Sequence, residues 1–182
     1  MNSINEIIGR LWIWETSLLR TKRLLLLASS AYTDFQEKQH EARKDLFPTE
    51  EECDLIFNSS IELAIVYFCQ ILNQGEKKSD TAAANELSFR DEHLKNIIIK
   101  IFKTKDEYQK FNCLKSKILK ARNKMITHAD ASSYNIIHGS TSSSLKLPQP
   151  WHEIDLNFFA SIIEPLITEI RDYSNNIKSK NK

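Results

Sequence analysis

Residues 52–72, ECDLIFNSSIELAIVYFCQIL, decide the fold class of this 182-residue chain. Apolar side chains occupy nearly every side of a helix drawn through this stretch, so we expect a central helix that is buried all round. The preceding letters FPTEEE mark its start, because Pro48 ends the previous element, Thr49 is a favourable N-cap and Glu52 completes a capping box. The sequence therefore predicts a helix that other helices surround.

Four further regions show helical signals. The first 45 residues carry apolar side chains at three- and four-residue spacing, and they form either one very long helix or two helices with a kink. Later helix starts are marked by Ser88 with Asp91, by Thr104 with Glu107, and by Asp155. Only three glycines and four prolines interrupt the chain, which favours long helices over a turn-rich β fold. We expect an all-α bundle of about five helices.

The domain organisation follows from the same pattern. Residues 1–175 form a single helical domain, and residues 176–182 are a polar C-terminal tail. A serine-rich stretch with two prolines, HADASSYNIIHGSTSSSLKLPQPW at 128–151, predicts an exposed loop before the last helix. The last helix itself contains Pro165, which is expected to bend it.

Cysteine usage and the apolar runs bear on the compartment. Cys53, Cys69 and Cys113 lack metal-ligand spacing, and the last two lie in apolar periodic stretches, which indicates small core residues. Unpaired cysteines suit a reducing compartment. No signal peptide is visible, and the apolar runs LLLLA and LAIVYFC are too short to span a bilayer. We expect a cytoplasmic protein without a membrane segment, a metal or a cofactor.

The net charge of +1 hides a strong asymmetry. Residues 95–124 hold ten Lys or Arg against two acids, which is +8, so the rest of the chain carries −7. Residues 34–54 hold eight acids against three bases. The basic segment is either a solvated lysine-rich face or a surface that follows the phosphates of a nucleic acid.

The basic segment ends in ARNKMITHAD, residues 121–130, where Arg122, Asn123 and His128 lie close in sequence. Cations at the last turns of a helix are favourable by themselves, so one alternative is that Arg122 and His128 are ordinary polar residues that close the helix. Six residues advance a helix by about 9 Å and turn it by about 600°, which leaves the two side chains about 120° apart. They meet only if the helix is distorted or if a second chain contributes across a two-fold axis.

These residue types suit the cleavage of RNA without a metal, by attack of its own 2′-OH on the adjacent phosphate. Imidazole transfers protons near neutral pH, which is the role expected for His128. A guanidinium offers paired hydrogen bonds to the charged phosphate oxygens, which is the role expected for Arg122. Asn123 can orient either group. The five histidines are scattered without a metal-ligand pattern.

The sequence RNKMITHAD at the end of a long helix resembles the signature of the HEPN superfamily. That signature is an Arg, usually followed by a polar residue, with a His after four to six intervening residues. Arg122 and His128 have five residues between them, and Asn123 is the polar follower. The helix around AIVYFCQILNQ and the late PW…ID helix start are similar to the abortive-infection (AbiU-like) branch. The helical context of the resemblance covers most of the chain, whereas the motif itself covers about nine residues.

The resemblance implies an all-helical domain over residues 1–175 that dimerises with its motif helices facing one cleft. Active members are metal-independent endoribonucleases of toxin–antitoxin and anti-phage defence, and the basic segment, with Lys117, Lys120 and Lys124, would then hold RNA. Other members are non-catalytic RNA-binding, nucleotide-binding or partner modules, often with a nucleotidyltransferase-type antitoxin as companion. A third alternative is a helical protein whose function lies elsewhere.

Overall fold

The structure, a computed structural model, describes residues 4–38, 49–72, 93–127 and 150–180. These residues contain five helices and no strand, which confirms the prediction of an all-α bundle. The bounds are α1 Ile4–Lys38, α2 Glu50–Leu72, α3 over 93–101, α4 Lys105–Thr127 and α5 Leu156–Lys180. The N-terminal region is thus one continuous helix through Lys38.

Local side-chain hydrogen bonds fix three of the helix starts. At α2, the backbone N–H of Thr49 donates to Glu52 Oε2 (2.7 Å) and that of Glu52 donates to Thr49 Oγ1 (3.2 Å). Thr104 and Glu107 form the same reciprocal pair at α4, with distances of 3.0 and 3.2 Å. Asp155 Oδ1 accepts from the N–H of Phe158 at 3.0 Å and caps α5. These hydrogen bonds confirm the three predicted helix starts. The starts could be predicted because each capping contact joins residues only three positions apart.

Helix α1 runs antiparallel to both α2 and α5. Polar contacts set its register on α2: Ser17 Oγ donates to Gln70 Oε1 (2.5 Å), and Thr21 Oγ1 donates to the carbonyl of Ala64 (3.4 Å). On the other side two ion pairs link α1 to α5. They join Lys22 to Glu164 (2.7 Å) and Glu15 to Arg171 (2.6 Å).

One hydrophobic core joins all five helices. Phe68 of α2 meets Phe159 of α5 edge to face, with ring centroids 4.9 Å apart. Phe102, just after α3, stacks on Phe111 of α4 at the same distance. The largest fully buried side chains are Phe68, Phe111, Phe159, Leu11, Leu18, Ile61, Ile65, Ile71, Ile97, Ile118 and Ile163. Helical spacing predicts an apolar face on α3 and the residue after it (Leu94, Ile97, Ile98, Ile101, Phe102) and another on α5 (Phe159, Ile162, Ile163, Leu166, Ile170, Tyr173). All of these residues belong to this core or pack against it, so both faces are confirmed.

Three burial predictions were wrong. Helix α2 is not buried all round, because its neighbours cover one side and leave an apolar stripe exposed on the other. Tyr108 of α4 is exposed, although its helical spacing with Phe111 and Leu114 predicts a core position. Cys113 is also exposed, although its apolar surroundings predicted a small core residue. The buried arc of α4 is centred on Phe111, Leu114 and Ile118, and a helix shows its neighbours only an arc of this width.

The C-terminal end of α5 extends further than the sequence indicated. Residues 176–180, expected to be a polar tail, continue the helix, and Ile177 packs against the core. Helix α5 is also continuous through Pro165. The start predicted at Ser88 and the serine-rich loop up to residue 149 lie outside the described residues.

Within the described residues, the stretch Glu52–Leu72 of α2 is long and apolar enough to cross a membrane by length and composition. Counting uninterrupted apolar runs did not reveal it, because Asp54, Glu62 and several other polar residues divide the stretch. A core helix of a soluble protein passes the same criterion, and 44% of the most apolar window is buried within the chain. The absence of a membrane segment stays a prediction.

Replacing Ile118 with Ala is expected to lower the free energy of unfolding by about 2–5 kcal/mol, because its side chain is 0% exposed and its removal leaves a cavity. Ile99→Ala is the matched control, since this residue is 51% exposed and should change stability by less than about 1 kcal/mol. Urea unfolding followed by circular dichroism measures both. Equal destabilisation of the two variants would contradict the assignment of the core.

Candidate functional site

Arg122 and Asn123 stand near the end of α4, and the buried residues Ile118 and Ala121 anchor that part of the helix. Arg122 Nη2 donates a hydrogen bond to Asn123 Oδ1 at 3.1 Å. Asn123 is exposed, while Arg122 is only partly so. The side-chain carbonyl of Asn123 therefore contacts one side of the guanidinium, while the orienting role predicted for Asn123 stays a prediction.

The other side of Arg122 turns toward α2. Its Nε atom is buried, and its positive charge acts on the thiol of Cys69. Burial raises the pKa of the Cys69 thiol to about 11, and the charge of Arg122 offsets part of that rise. Because a thiol with this pKa is neutral at pH 7, Cys69 serves as packing beside the guanidinium and not as a nucleophile.

Lys117, Lys120 and Lys124 share one face of α4, since they are spaced by three and four residues. Lys120 Nζ binds both carboxylate oxygens of Glu153, at 3.1 and 3.2 Å. The hydrogen bond and charge of Lys120, with smaller effects of Lys124 and His152, hold the pKa of Glu153 below its ordinary value. The lysine face therefore carries a carboxylate from the turn before α5.

The lysine face and Arg122 lie on opposite flanks of α4. Two residues along a helix turn it by about 200°, so Arg122 is about 160° from both Lys120 and Lys124. Arg122 faces the α2 side, where Cys69 lies, and Lys120 faces the segment that leads into α5. The structure thus brings Arg122 together with Asn123, but not with the three lysines predicted to bind RNA.

His128 lies outside the described residues, one position beyond the last residue of α4, so its catalytic role stays a prediction. Of the other histidines, His93 is buried and its Nδ1 lies 2.9 Å from the hydroxyl of Tyr173. His152 is exposed beside Glu153. In the part of the chain that the structure describes, no group of three or more His, Cys, Asp or Glu side chains is placed to hold a metal ion.

Two contacts at this site could not be predicted from the sequence. Cys69 is 53 positions from Arg122, and Glu153 is 33 positions from Lys120. Helical periodicity predicts which residues share a face, but it does not predict which helix lies opposite that face. Only the packing of α4 against α2 and of the 150–155 turn against α4 brings these groups together.

Comparison with known proteins adds no relative to this picture: no family model, no curated protein and no solved structure matches the chain.

Replacing Lys120 with Gln is expected to raise the pKa of Glu153 back toward its ordinary value of 4.5, because the largest cause of the lowering is removed. A lowered carboxyl pKa means that the pair stabilises the fold above pH 4.5 and that this contribution disappears as the pH falls through the folded-state pKa. Titration of the Glu153 carboxyl carbon by NMR measures the shift. Lys22→Gln, which breaks the separate pair with Glu164, should leave Glu153 unchanged.

Proposed function

We propose that this chain is a HEPN-type, metal-independent endoribonuclease of toxin or anti-phage defence. It cleaves RNA in a cleft at a homodimer interface. The observation that carries the proposal is the hydrogen bond between Arg122 and Asn123 near the end of α4, six and five positions before His128. This pair supplies an oriented cation where the sequence places a proton-transfer group.

The proposed reaction divides between three side chains. His128 takes the proton of the attacking 2′-OH or returns a proton to the departing 5′ oxygen, as general base and general acid. The guanidinium of Arg122 stabilises the charge that gathers on the phosphate oxygens as the new O–P bond forms and the old one breaks. Asn123 keeps the guanidinium in place, so that less reorganisation is needed when the substrate arrives.

The two-flank arrangement of α4 favours a dimeric site. RNA that contacts Arg122 on one flank reaches the lysine face of the same α4 only by passing around the helix. Two copies that meet near their motif helices would offer both Arg122 residues and both lysine faces to one strand. A homodimer therefore reconciles the opposite positions of Arg122 and Lys120 with one continuous RNA path.

The second candidate is a non-catalytic HEPN module that binds RNA, a nucleotide or a companion protein of the nucleotidyltransferase type. Its support is the exposed apolar side chains on α1 and α2, a feature typical of interaction surfaces. Recovery of a stable companion, together with no RNA cleavage by this chain alone, would favour the second candidate.

RNA cleavage in the presence of EDTA is the direct assay of the proposed activity. His128→Ala and Arg122→Ala are each expected to lower the cleavage rate by about 100-fold or more, because they remove the proton-transfer group and the oxyanion-stabilising cation. Arg171→Ala and His40→Ala are the matched controls for removal of an arginine and a histidine. Equal activity in all five proteins, or none in any, would contradict the catalytic proposal.

The lysine face is expected to set the salt dependence of RNA binding. In a His128→Ala background, the combined change of Lys117, Lys120 and Lys124 to Gln should reduce the slope of log K against log salt by about 0.7 for each phosphate that is no longer neutralised. Fluorescence anisotropy with a labelled single strand at several salt concentrations measures this slope. Lys178→Gln with Lys180→Gln on α5 is the control, and an equal reduction there would contradict a specific role for α4.

A further inference from the structure

The outer side of the α1–α2 pair exposes a large apolar surface. Among the described residues, eleven large apolar side chains are exposed, and nine of them lie on these two helices. Six cluster around the middle of the pair and are named here the hairpin patch: Leu26, Leu27, Leu55, Ile56, Leu63 and Val66. Soluble monomers rarely expose contiguous apolar patches of this kind unless the surface binds something.

The antiparallel register between α1 and α2 brings the α1 residues and the α2 residues of the hairpin patch to similar heights along the helix pair. Arg20 Nη1 donates to the hydroxyl of Tyr67 (3.4 Å), and its guanidinium lies 5.1 Å from the centre of that ring. Thr21 bonds to Ala64 on the next turn. When this antiparallel register is continued along the helices, Arg23 lies level with Glu62 and Leu63. Leu27 lies level with the part of α2 between Ile56 and Leu63.

Charge borders the hairpin patch with opposite signs on its two helices. Arg23 is exposed on the outer side of α1, and Glu62 lies half-buried on the outer side of α2. Among the residues that the structure describes, neither makes an ion pair. Burial raises the pKa of Glu62 above its ordinary value, which indicates a carboxylate without a compensating charge nearby.

We propose that the hairpin patch is a self-association surface and that its occupant is the same patch of a second copy. A two-fold axis that runs along the outer surface of the pair, parallel to α1 and α2 and equidistant from them, places α1 of one copy over α2 of the other, in the register found within one chain. Arg23 then lies level with Glu62 of the partner subunit at one edge of the apolar stripe, and the symmetry operation forms the second pair at the other edge.

The charges distinguish this occupant from a lipid surface. An anionic membrane attracts basic faces, and α1 alone would suit it, but Glu52 and Glu62 on the outer side of α2 oppose binding to lipid phosphates. A surface that is basic on one half, acidic on the other and apolar between is complementary to itself under a two-fold rotation. The proposal does not rest on the ribonuclease activity, because Arg122 lies outside the hairpin patch.

Sedimentation equilibrium between about 1 and 100 μM tests the proposal. Ile56→Asp should raise the dissociation constant of this association by about tenfold or more, because it places a charge among apolar side chains and away from the level of Arg23. The mass then falls by half, whether from dimer to monomer or, if the ribonuclease cleft also dimerises, from tetramer to dimer. Ile99→Asp, at an exposed apolar residue on α3, is the matched control and should associate like the wild type.

Charge reversal provides a test that does not depend on the stability of one variant. R23E and E62R should each weaken self-association, because each places like charges across both edges. An equimolar mixture of the two should regain it as a heterodimer, because opposite charges again face each other at both edges. A mixture no stronger than its components, or a wild type of single-chain mass at 100 μM, would overturn the proposal. If the wild-type chain is monomeric and pellets with phosphatidylcholine–phosphatidylserine vesicles, self-association is overturned and the hairpin patch is instead a membrane-binding surface.

Discussion

Phe68 of α2 packs edge-on against Phe159 of α5 within the buried core, which also contains Ile61 and Ile65. This contact holds the inner face of α2 at a fixed distance from α5, with α1 alongside both helices. The position of α4 depends on it, because the buried side chains of α4 pack against the same core. The charge of Arg122 acts on Cys69 only because the core sets α4 beside α2.

In the proposed ribonuclease, α4 has a functional role on each of two flanks. One flank of α4 carries a guanidinium that Asn123 orients, and the other carries lysines, one of which binds Glu153. A positioned cation and a diffuse phosphate-binding surface serve different needs, since the first acts on the reacting phosphate and the second acts on the backbone. Their separation by nearly half a turn gives a physical reason to expect that the proposed site combines elements of two chains.

The sequence was most informative where the determining interactions are local. Thr49 with Glu52 and Thr104 with Glu107 are three residues apart, so the letters alone predicted two helix starts and their hydrogen bonds. The sequence predicted burial wrongly where burial depends on how many neighbouring helices cover a side chain. Cys113 sits in an apolar stretch but outside the buried arc, and Leu63 belongs to an apolar helix but faces outward. The amino-acid sequence of α2 does not show which sides of this helix are covered by α1, α4 and α5.

The candidate site shows the same division between local and distant contacts. The Arg122–Asn123 contact joins neighbours in sequence, whereas the effect of Arg122 on Cys69 requires the tertiary fold. In the proposed reaction, Arg122 and His128 promote attack by the RNA's own 2′-OH. The chemical ends of RNA cleaved by the wild-type chain in EDTA test it most directly. We expect a 2′,3′-cyclic phosphate on one fragment and a 5′-hydroxyl on the other, with no cleavage at a 2′-deoxy position. A 5′-phosphate, or cleavage that persists at a 2′-deoxy position, would contradict it.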